Sequence, residues 1–243
     1  MLAARKGDVL ARERKREILG GMPDLATPVS ARERNRAVFD GAFGRVYSFY
    51  TERERLSRLI AAVVWGGDIR PFYASMRAIG ETPDGGTIVD APCGAGVAFR
   101  GLHPGQRVRY IALDLSPRML ERARRRAREL GLAQIEFLED DAQSLPVEDG
   151  SVDLFLSYFG LHCLPDPPAA VAEIARSLRR RGRVVGSMIT RGPTLRHRVL
   201  VRPGRGGFGP LGDLRDWLAA AGLPDATVEA SGLFAYFEAR KPA

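Results

Sequence analysis

Several features are scarce in this sequence, and each shortage excludes a class of protein. Cysteine occurs only at positions 93 and 163 of the 243 residues, which is too few for a disulfide scaffold and fits a reducing, cytoplasmic compartment. No run of about 18 apolar residues exists, so we expect no membrane-spanning helix. The N-terminus carries charges without an apolar block behind them, which is not the pattern of a secretory signal.

Histidine is also scarce, and the chain contains only His103, His162 and His197. These positions are far apart in the sequence, and no acid or cysteine lies near them at the spacing of a metal ligand. We therefore expect no metal site.

Acidic residues are outnumbered, and the sequence has a net charge of +8. Half of this excess lies in residues 1–36, which hold nine basic and five acidic side chains. A second basic cluster, residues 122–128, falls on a predicted helix. Such runs are usually solvated helix faces, and the alternative is a site for an anionic partner.

What is present is the composition of one sizeable α/β domain, with 45% apolar residues. We predict a basic, flexible tail over residues 1–29, a helical lid that caps the substrate over residues 30–82, and a core domain over residues 83–243. The stretch 191–210 is rich in glycine and proline and is long for a connection. It is typical of a disordered loop or of a second wall of the lid.

The predicted lid begins at a capping box, in which Ser30 is followed by Glu33 three residues later. Apolar residues then recur at steps of three and four as far as about Ile79, which predicts helices. Glycines divide this pattern into short segments. The aromatic residues near its start are Phe39, Phe43, Tyr47 and Tyr50.

From residue 87 onward, strand and helix patterns alternate, which predicts a parallel sheet with helices on both faces. We predict strands at 87–91, 109–113, 134–138, 152–157 and 183–190, helices at 95–102, 117–130, 168–180 and 212–221, and a closing antiparallel hairpin of strands 227–231 and 233–239. The fold class is therefore a Rossmann-like, doubly wound α/β fold. Its mainly parallel, seven-stranded sheet has an antiparallel C-terminal hairpin and an N-terminal helical lid.

The most informative segment is a glycine-rich turn after the first predicted strand. That strand ends at Asp90, and Gly94 and Gly96 in the turn let the backbone approach a ligand closely. The second strand ends at Asp114, where a carboxylate can accept two hydrogen bonds from a ribose diol. This order indicates a nucleotide-like ligand at the sheet edge. An NAD-dependent dehydrogenase is not favoured, because the third glycine of its fingerprint is absent.

Four segments in this order resemble the class I S-adenosylmethionine-dependent methyltransferases, of the small-molecule type that includes the ubiquinone and menaquinone methyltransferases. They are Asp90-x-x-Cys93-Gly94-x-Gly96, Leu113 to Leu120, Asp141 to Val147, and Ser151 to Asp166. The segment from Phe39 to Tyr47 is similar to the start of the quinone methyltransferases, although Ser48 replaces their aspartate. Pro92 stands where the family usually has its first glycine, and proline has no amide N–H to offer a cofactor.

The resemblance implies that the cofactor is S-adenosyl-L-methionine. By that resemblance Asp114 binds the ribose hydroxyls, Asp141 and Ala142 bind the adenine, and the turn glycines approach the methionine half. The remaining cofactor-binding positions that it implies are Asp90, Cys93, Gly94, Gly96, Leu115, Met119, Ser157 and Tyr158.

Three further residues are candidates for the acceptor side of the site. His162 follows the fourth strand, and an ordinary histidine pKa of about 6.5 suits a general base; the alternative is that it braces the loop. Tyr47 and Tyr50 are either aromatic walls of the lid or ordinary helix packing.

The function implied is methyl transfer to an oxygen, carbon or nitrogen of a small apolar or aromatic acceptor by in-line displacement. One alternative is an RNA methyltransferase, because residues 90–94 superficially match a cytosine methyltransferase motif. No complete cofactor half precedes that motif here, so we do not expect a nucleic-acid partner. Another alternative is a non-catalytic S-adenosylmethionine-binding protein, which Pro92 alone supports. The sequence specifies neither the acceptor nor the oligomeric state.

Overall fold

The computed structural model describes residues 31–190 and 211–243. The predicted tail, the cap at Ser30 and the predicted second wall over residues 191–210 lie outside the described residues.

The first described part of the chain is helical, as the apolar period predicts. These N-terminal helices, residues 31–80, are α1 (Ala31–Asp40), α2 (Ala42–Thr51), α3 (Glu54–Ile60), a π-helical turn (Ala61–Trp65), α4 (Arg70–Ser75) and α5 (Arg77–Gly80). Glycines at positions 41 and 66 separate helices as predicted, whereas Gly44, also expected to divide the pattern, lies inside α2. Gly41 precedes α2, and Gly66 ends the π-helical turn with a left-handed φ of 64°.

The described residues after position 86 form a seven-stranded sheet with the strand order β3-β2-β1-β4-β5-β7-β6. The strands are β1 (Thr87–Asp90), β2 (Arg109–Asp114), β3 (Ile135–Glu139), β4 (Val152–Tyr158), β5 (Leu178–Ile189), β6 (Thr227–Ser231) and β7 (Phe234–Arg240), and the helices are α6 (Pro117–Glu129), α7 (Pro167–Ser177) and α8 (Leu211–Ala220). The first five strands pair in parallel, and β7 pairs antiparallel with both β5 and β6. The predicted fold class is confirmed.

Two predicted boundaries were wrong. The helix predicted over residues 95–102 is instead a short 3₁₀ helix, Val97–Gly101. Gly96 is in the left-handed conformation, so the turn extends as far as this residue and the segment that remains is too short for a full α-helix. The helix predicted over residues 168–180 ends at Ser177, and β5 begins at once, five residues before the predicted strand. An irregular stretch with Arg181 at a positive φ of 63° interrupts the arginine run that looked helical.

Two apolar layers enclose the sheet, one on each face. One layer contains Phe72, Phe99, Tyr110 and Leu120, and the other contains Ile111, Phe155, Val171 and Leu214. The N-cap of α6 is Ser116, whose hydroxyl accepts a hydrogen bond from the amide of Met119 at 3.1 Å.

The C-terminal hairpin holds the connection between the π-helical turn and α4, which the sequence did not indicate. The amide of Asp68 donates to the Ser231 hydroxyl at 2.8 Å, and the Tyr236 hydroxyl donates to the carbonyl of Asp68 at 2.6 Å. At the hairpin turn, a Cβ on Gly232 would lie 2.3 Å from the carbonyl oxygen of Gly66. This close approach requires a glycine.

Candidate functional site

The site lies at the carboxyl ends of β1, β2 and β4. Strand β1 is central, because the sheet extends from it toward β2 on one side and toward β4 on the other. Ligands of doubly wound sheets bind in the crevice at such a reversal of strand order. Asp90, Asp114 and Tyr158 are the last residues of the three strands.

The glycine-rich turn is held to the end of β2 by hydrogen bonds. The amide of Gly94 donates to Oδ2 of Asp114 at 2.8 Å, and the amide of Cys93 donates to the carbonyl of Leu113 at 2.8 Å. The other carboxylate oxygen of Asp114 accepts from the amide of Ser116 at 2.9 Å. The Asp114 side chain therefore joins the first two sequence motifs.

The two glycines of this turn have different reasons to be glycine. Both have a positive φ, 54° at Gly94 and 76° at Gly96. A Cβ on Gly94 would meet no atom within 4 Å apart from its chain neighbours, so the backbone there faces open space. A Cβ on Gly96 would lie 2.3 Å from the ring of Phe99. Gly94 thus leaves room for a ligand, whereas packing against Phe99 is sufficient to explain Gly96.

Asp114 is buried, and burial raises its pKa to about 6. The amides of Ser116 and Gly94 oppose this rise because they stabilise the carboxylate, and the charge of Asp40 adds to it. Each carboxylate oxygen can accept more than one hydrogen bond. The side chain therefore has acceptor capacity left for the two hydroxyls of a ribose.

Asp90 is also buried, and it accepts a hydrogen bond from the Tyr110 hydroxyl at 2.9 Å. Burial raises the pKa of Asp90 to about 8, the Tyr110 bond lowers it, and the charge of Asp114 raises it further. Tyr110 is a site residue that the sequence did not reveal. In the sequence, Tyr110 looks like any other apolar residue of the second predicted strand.

Pro92 is accommodated by a glycine on the neighbouring loop. A Cβ on Gly160 would lie 2.1 Å from Cδ of the Pro92 ring, so the loop after β4 packs directly on the proline. Cys93 is buried beside this contact, and burial raises the pKa of its thiol.

Asp141 and Ala142 follow the end of β3. The Asp141 carboxylate accepts from the amide of Gln143 at 3.0 Å, and Ala142 is buried against the second apolar layer. Because Glu139 at the end of β3 pairs with Asp114 at the end of β2, this loop starts beside the Asp114 strand, and the adenine contact that the resemblance implies for it stays a prediction.

Ser157 and Tyr158 end β4 and are both buried. The Tyr158 hydroxyl shares a hydrogen bond of 2.9 Å with the hydroxyl of Ser75 on α4, and its ring meets Phe72 edge to face with centroids 5.1 Å apart. Its side chain therefore anchors an N-terminal helix, and only its backbone remains for the ligand contact that the resemblance implies.

The N-terminal helices dock on the start of α6. The hydroxyl of Ser116 donates to Asp40 at 2.5 Å, and the Ser48 hydroxyl lies 3.7 Å from the sulfur of Met119. Met119 therefore packs against α2. Leu115 is half-buried, and its amide, like those of Ser116 and Gly94, lowers the pKa of Asp114.

Tyr47 and Tyr50 lie on α2, with ring centroids 5.5 Å apart. The pKa of Tyr47 is raised by burial first, and then by Tyr50, Cys163, Tyr73 and Asp114. Tyr47 is thus close enough to Asp114, and to Cys163 in the loop after β4, for negative charge on these groups to raise its pKa. Burial raises the pKa of Tyr50 to about 12.

His162 is buried in the loop after β4. Its Nδ1 accepts a hydrogen bond from the amide of Ile189 at 3.3 Å, and burial lowers its pKa to about 3. A neutral imidazole that accepts at Nδ1 carries its proton on Nε2. This arrangement favours the brace over the general base.

The residues at this edge fit S-adenosyl-L-methionine. The space in front of Gly94 is open and can hold part of a ligand, which a side chain at this position would displace. The Asp114 carboxylate beside it is oriented by two amides. The chain described by the structure holds no group of three or more histidine, cysteine or acidic side chains arranged for a metal ion. No helix in the described ranges is both long and apolar enough to cross a bilayer.

Sequence comparisons identify relatives across most of the chain. A family model described as a methyltransferase domain matches residues 89–186. A demethylmenaquinone methyltransferase of Oceanobacillus iheyensis is 30% identical over 173 residues, which cover 70% of this chain and 68% of that protein. An uncharacterised chloroplastic methyltransferase of Arabidopsis thaliana is 32% identical over 195 residues, 74% of this chain and 55% of that protein. The chain spans about half the length of three curated relatives that it matches.

A solved structure shows the same fold. Phosphoethanolamine N-methyltransferase 2 of Haemonchus contortus, in complex with S-adenosyl-L-methionine, superposes with a TM-score of 0.70 at 16% identity, over 91% of this chain and 62% of that chain. The sequence matches and the site at the strand ends agree, and this chain belongs to the class I S-adenosylmethionine-dependent methyltransferases.

Proposed function

We propose that this protein transfers a methyl group from S-adenosyl-L-methionine to an oxygen, carbon or nitrogen of a small apolar or aromatic acceptor. The observation that carries the proposal is the Asp114 carboxylate, held by the amides of Gly94 and Ser116 beside open space at the reversal of strand order. That geometry unites the two motifs that the family uses for its cofactor.

Each motif residue has a defined task in this proposal. Asp114 accepts hydrogen bonds from the ribose hydroxyls, and Gly94 lets the methionine half approach the backbone. Asp141 and the amide of Ala142 hold the adenine. Asp90, positioned by the Tyr110 hydroxyl, orders groups around the amino acid part.

When bound, the cofactor supplies an activated methyl on a sulfonium, with a neutral thioether as leaving group. The protein then has to align the acceptor with that methyl group, and alignment alone lowers the activation barrier by several kcal/mol. We propose that alignment carries the reaction here. His162 holds the loop after β4 through its hydrogen bond from the Ile189 amide, and it does not act as the base that removes a proton from the acceptor.

The acceptor class is supported by the residues above the strand ends. Helix α2 brings Tyr47 within electrostatic range of Asp114 and Cys163, with the ring of Tyr50 beside it, and aromatic side chains there favour apolar or aromatic molecules over charged ones. The Oceanobacillus relative is named for demethylmenaquinone. A quinone-like ring with an apolar tail is therefore the first acceptor to test.

The test is the formation of S-adenosylhomocysteine from S-adenosylmethionine with a panel of acceptors. The panel contains demethylated naphthoquinones with long and short tails, each reduced to its hydroquinone so that the ring is nucleophilic, a polar catechol and an RNA mixture. We expect turnover with at least one apolar ring acceptor and none with RNA. Turnover with RNA alone would replace this proposal with the nucleic-acid alternative, and cofactor binding without turnover on any acceptor would favour the non-catalytic one.

His162→Ala separates the two roles of that residue. A brace predicts a lower melting temperature and a turnover rate whose pH profile keeps the shape of the parent protein. A general base predicts a large loss of turnover at unchanged stability and cofactor affinity, together with loss of a titration from the profile.

A further inference from the structure

Helices α2 and α3 bury small residues and expose large apolar ones. In α2 the buried residues are Gly44, Ser48 and Thr51, and in α3 and the π-helical turn they are Ser57 and Ala61. Among the described side chains, seven large apolar ones are more than a third exposed, and six of these lie between residues 43 and 64. The five most exposed are Phe43 (54%), Val46 (63%), Phe49 (54%), Leu59 (61%) and Val63 (60%). This reverses the usual pattern of a helix on a soluble domain.

The charges on the same helices are sorted by sign. The acids Glu52 and Glu54 turn toward the domain and pair with Arg126 at 3.7 Å and Arg100 at 3.6 Å. Between Ala42 and Trp65 the arginines Arg45, Arg53, Arg55 and Arg58 are exposed, whereas the two paired acids keep 30% (Glu52) and 44% (Glu54) of their side chains exposed. We call these four arginines and the five apolar residues above the arginine–apolar face.

The positive charge continues onto α6. Burial lowers the pKa of Arg122, and the nearby charge of Arg45 lowers it further, so the two helices share one basic surface. A recess of about 200 Å³ on α6 is lined by Arg118, Glu121, Arg122, Arg125 and Arg128. Guanidinium groups around a recess of this size suit a phosphate.

We propose that the arginine–apolar face docks on the surface of a membrane that contains anionic lipids. Exposed aromatic and aliphatic side chains enter the boundary between head groups and acyl chains, and the arginines contact the lipid phosphates. The proposal rests on the burial and charge pattern and does not depend on the proposed methyl transfer.

Charge decides against the other occupants of this face. Residues 1–30 hold six basic and four acidic side chains, and residues 191–210 hold five arginines and no acid, so neither segment complements an arginine surface. A second copy related by a two-fold axis would bring the same arginines together. An anionic lipid surface offers both an apolar phase and the opposite charge.

The test is flotation of the full-length protein with vesicles of phosphatidylcholine alone and of equal parts phosphatidylcholine and phosphatidylglycerol. We expect binding to the anionic vesicles, weaker binding at high salt, and little binding to the neutral ones. Val46→Ser with Phe49→Ser should weaken binding about tenfold or more. Leu130→Ser, an exposed apolar residue outside the face, is the matched control and should bind like the parent protein.

Two charge-reversal variants, one on the face and one control elsewhere, test the role of the arginines. Arg55→Glu should weaken binding to anionic vesicles at least about fivefold, because each arginine near such a surface contributes about that factor. Arg180→Glu changes an exposed arginine near the start of β5, at the opposite end of the sheet from the site, and should have little effect. Circular dichroism and the melting temperature show whether each variant is folded.

Several results would overturn the proposal. One is that the parent protein does not bind anionic vesicles, and another is that the Val46 and Phe49 double variant binds them as tightly as the parent protein. Self-association that the double variant abolishes, without vesicle binding, would make the face a contact between copies. Saturable binding of an acidic protein in place of vesicles would make it a protein-docking site.

Discussion

Helices α6 and α2 meet at Met119 and follow opposite rules of burial. Helix α6 buries Met119, Leu120, Ala123 and Ala127 and exposes arginines, as an amphipathic helix on a sheet should. Helix α2 buries glycine, serine and threonine and exposes Phe43, Val46 and Phe49. The difference shows that the sheet domain uses its apolar residues for its own core, whereas helices α2 and α3 present their large apolar residues outward.

The two helices are consequently held by different forces. Helix α6 depends on apolar burial. Helix α2 depends on close approach and on hydrogen bonds from other helices, such as the 2.7 Å bond from the Ser57 hydroxyl to the carbonyl of Tyr50 and the 2.8 Å bond from the Tyr73 hydroxyl to the carbonyl of Thr51. We expect α2 to open at a lower free energy than α6.

The largest expected effect comes from truncating one apolar residue on each helix. Leu120→Ala should lower the free energy of unfolding by about 2–5 kcal/mol, because it removes a buried side chain and leaves a cavity. Val46→Ala, on the exposed side of α2, should change it by less than about 0.5 kcal/mol. Denaturant titration measures both. Equal losses would mean that α2 is part of the core after all.

A second change adds a methyl group on the buried side of α2. A Cβ at position 44 would lie 1.8 Å from the carbonyl oxygen of Phe39 and 3.1 Å from the Met119 side chain. We expect Gly44→Ala to destabilise the protein by about 1–3 kcal/mol through displacement of α2. Hydrogen exchange should then rise in residues 31–65 and remain unchanged in β1 and β2. Unchanged exchange in α2 would show that the helix adjusts without cost.

The third and smaller effect concerns pH and the buried acid at the end of β1. The pKa of Asp90 in the folded protein is about 8, far above its ordinary value, so the folded state binds a proton that the unfolded state releases. Stability without cofactor should therefore fall as pH rises toward 8, by at most about 1.4 kcal/mol per pH unit. Asp90→Asn should flatten the melting temperature between about pH 6.5 and 8. If the slope persists in that variant, another group is responsible.

The sequence predicted the strands, the fold class and the acids at the strand ends because those signals are local. Asp90 and Asp114 each follow an apolar run, and the glycine-rich turn comes directly after the first of them. The contacts that complete the site join distant residues. Tyr110 holds Asp90 from 20 positions away, Ser116 holds Asp40 from 76 positions away, and Gly160 makes room for Pro92.

The side of α2 that is buried could not be predicted from the sequence either. The apolar period around Phe43 and Val46 indicates a helix, but a period does not say which face is covered. The small residues at positions 44 and 48 decide it, because they allow the close contact with Met119 that turns the large ones outward.

The central claim is that Asp114 joins the two motifs into one cofactor site. Its direct test is calorimetric titration of S-adenosylmethionine into the parent protein, Asp114→Ala and the control Glu148→Ala, an exposed loop acid. We expect one site per chain, weaker binding by one to two orders of magnitude in Asp114→Ala because hydrogen bonds to a charged acceptor are lost, and no change in the control. In the parent, affinity should fall as pH drops below about 6, where Asp114 becomes protonated. Unchanged affinity in a folded Asp114→Ala protein would contradict the account.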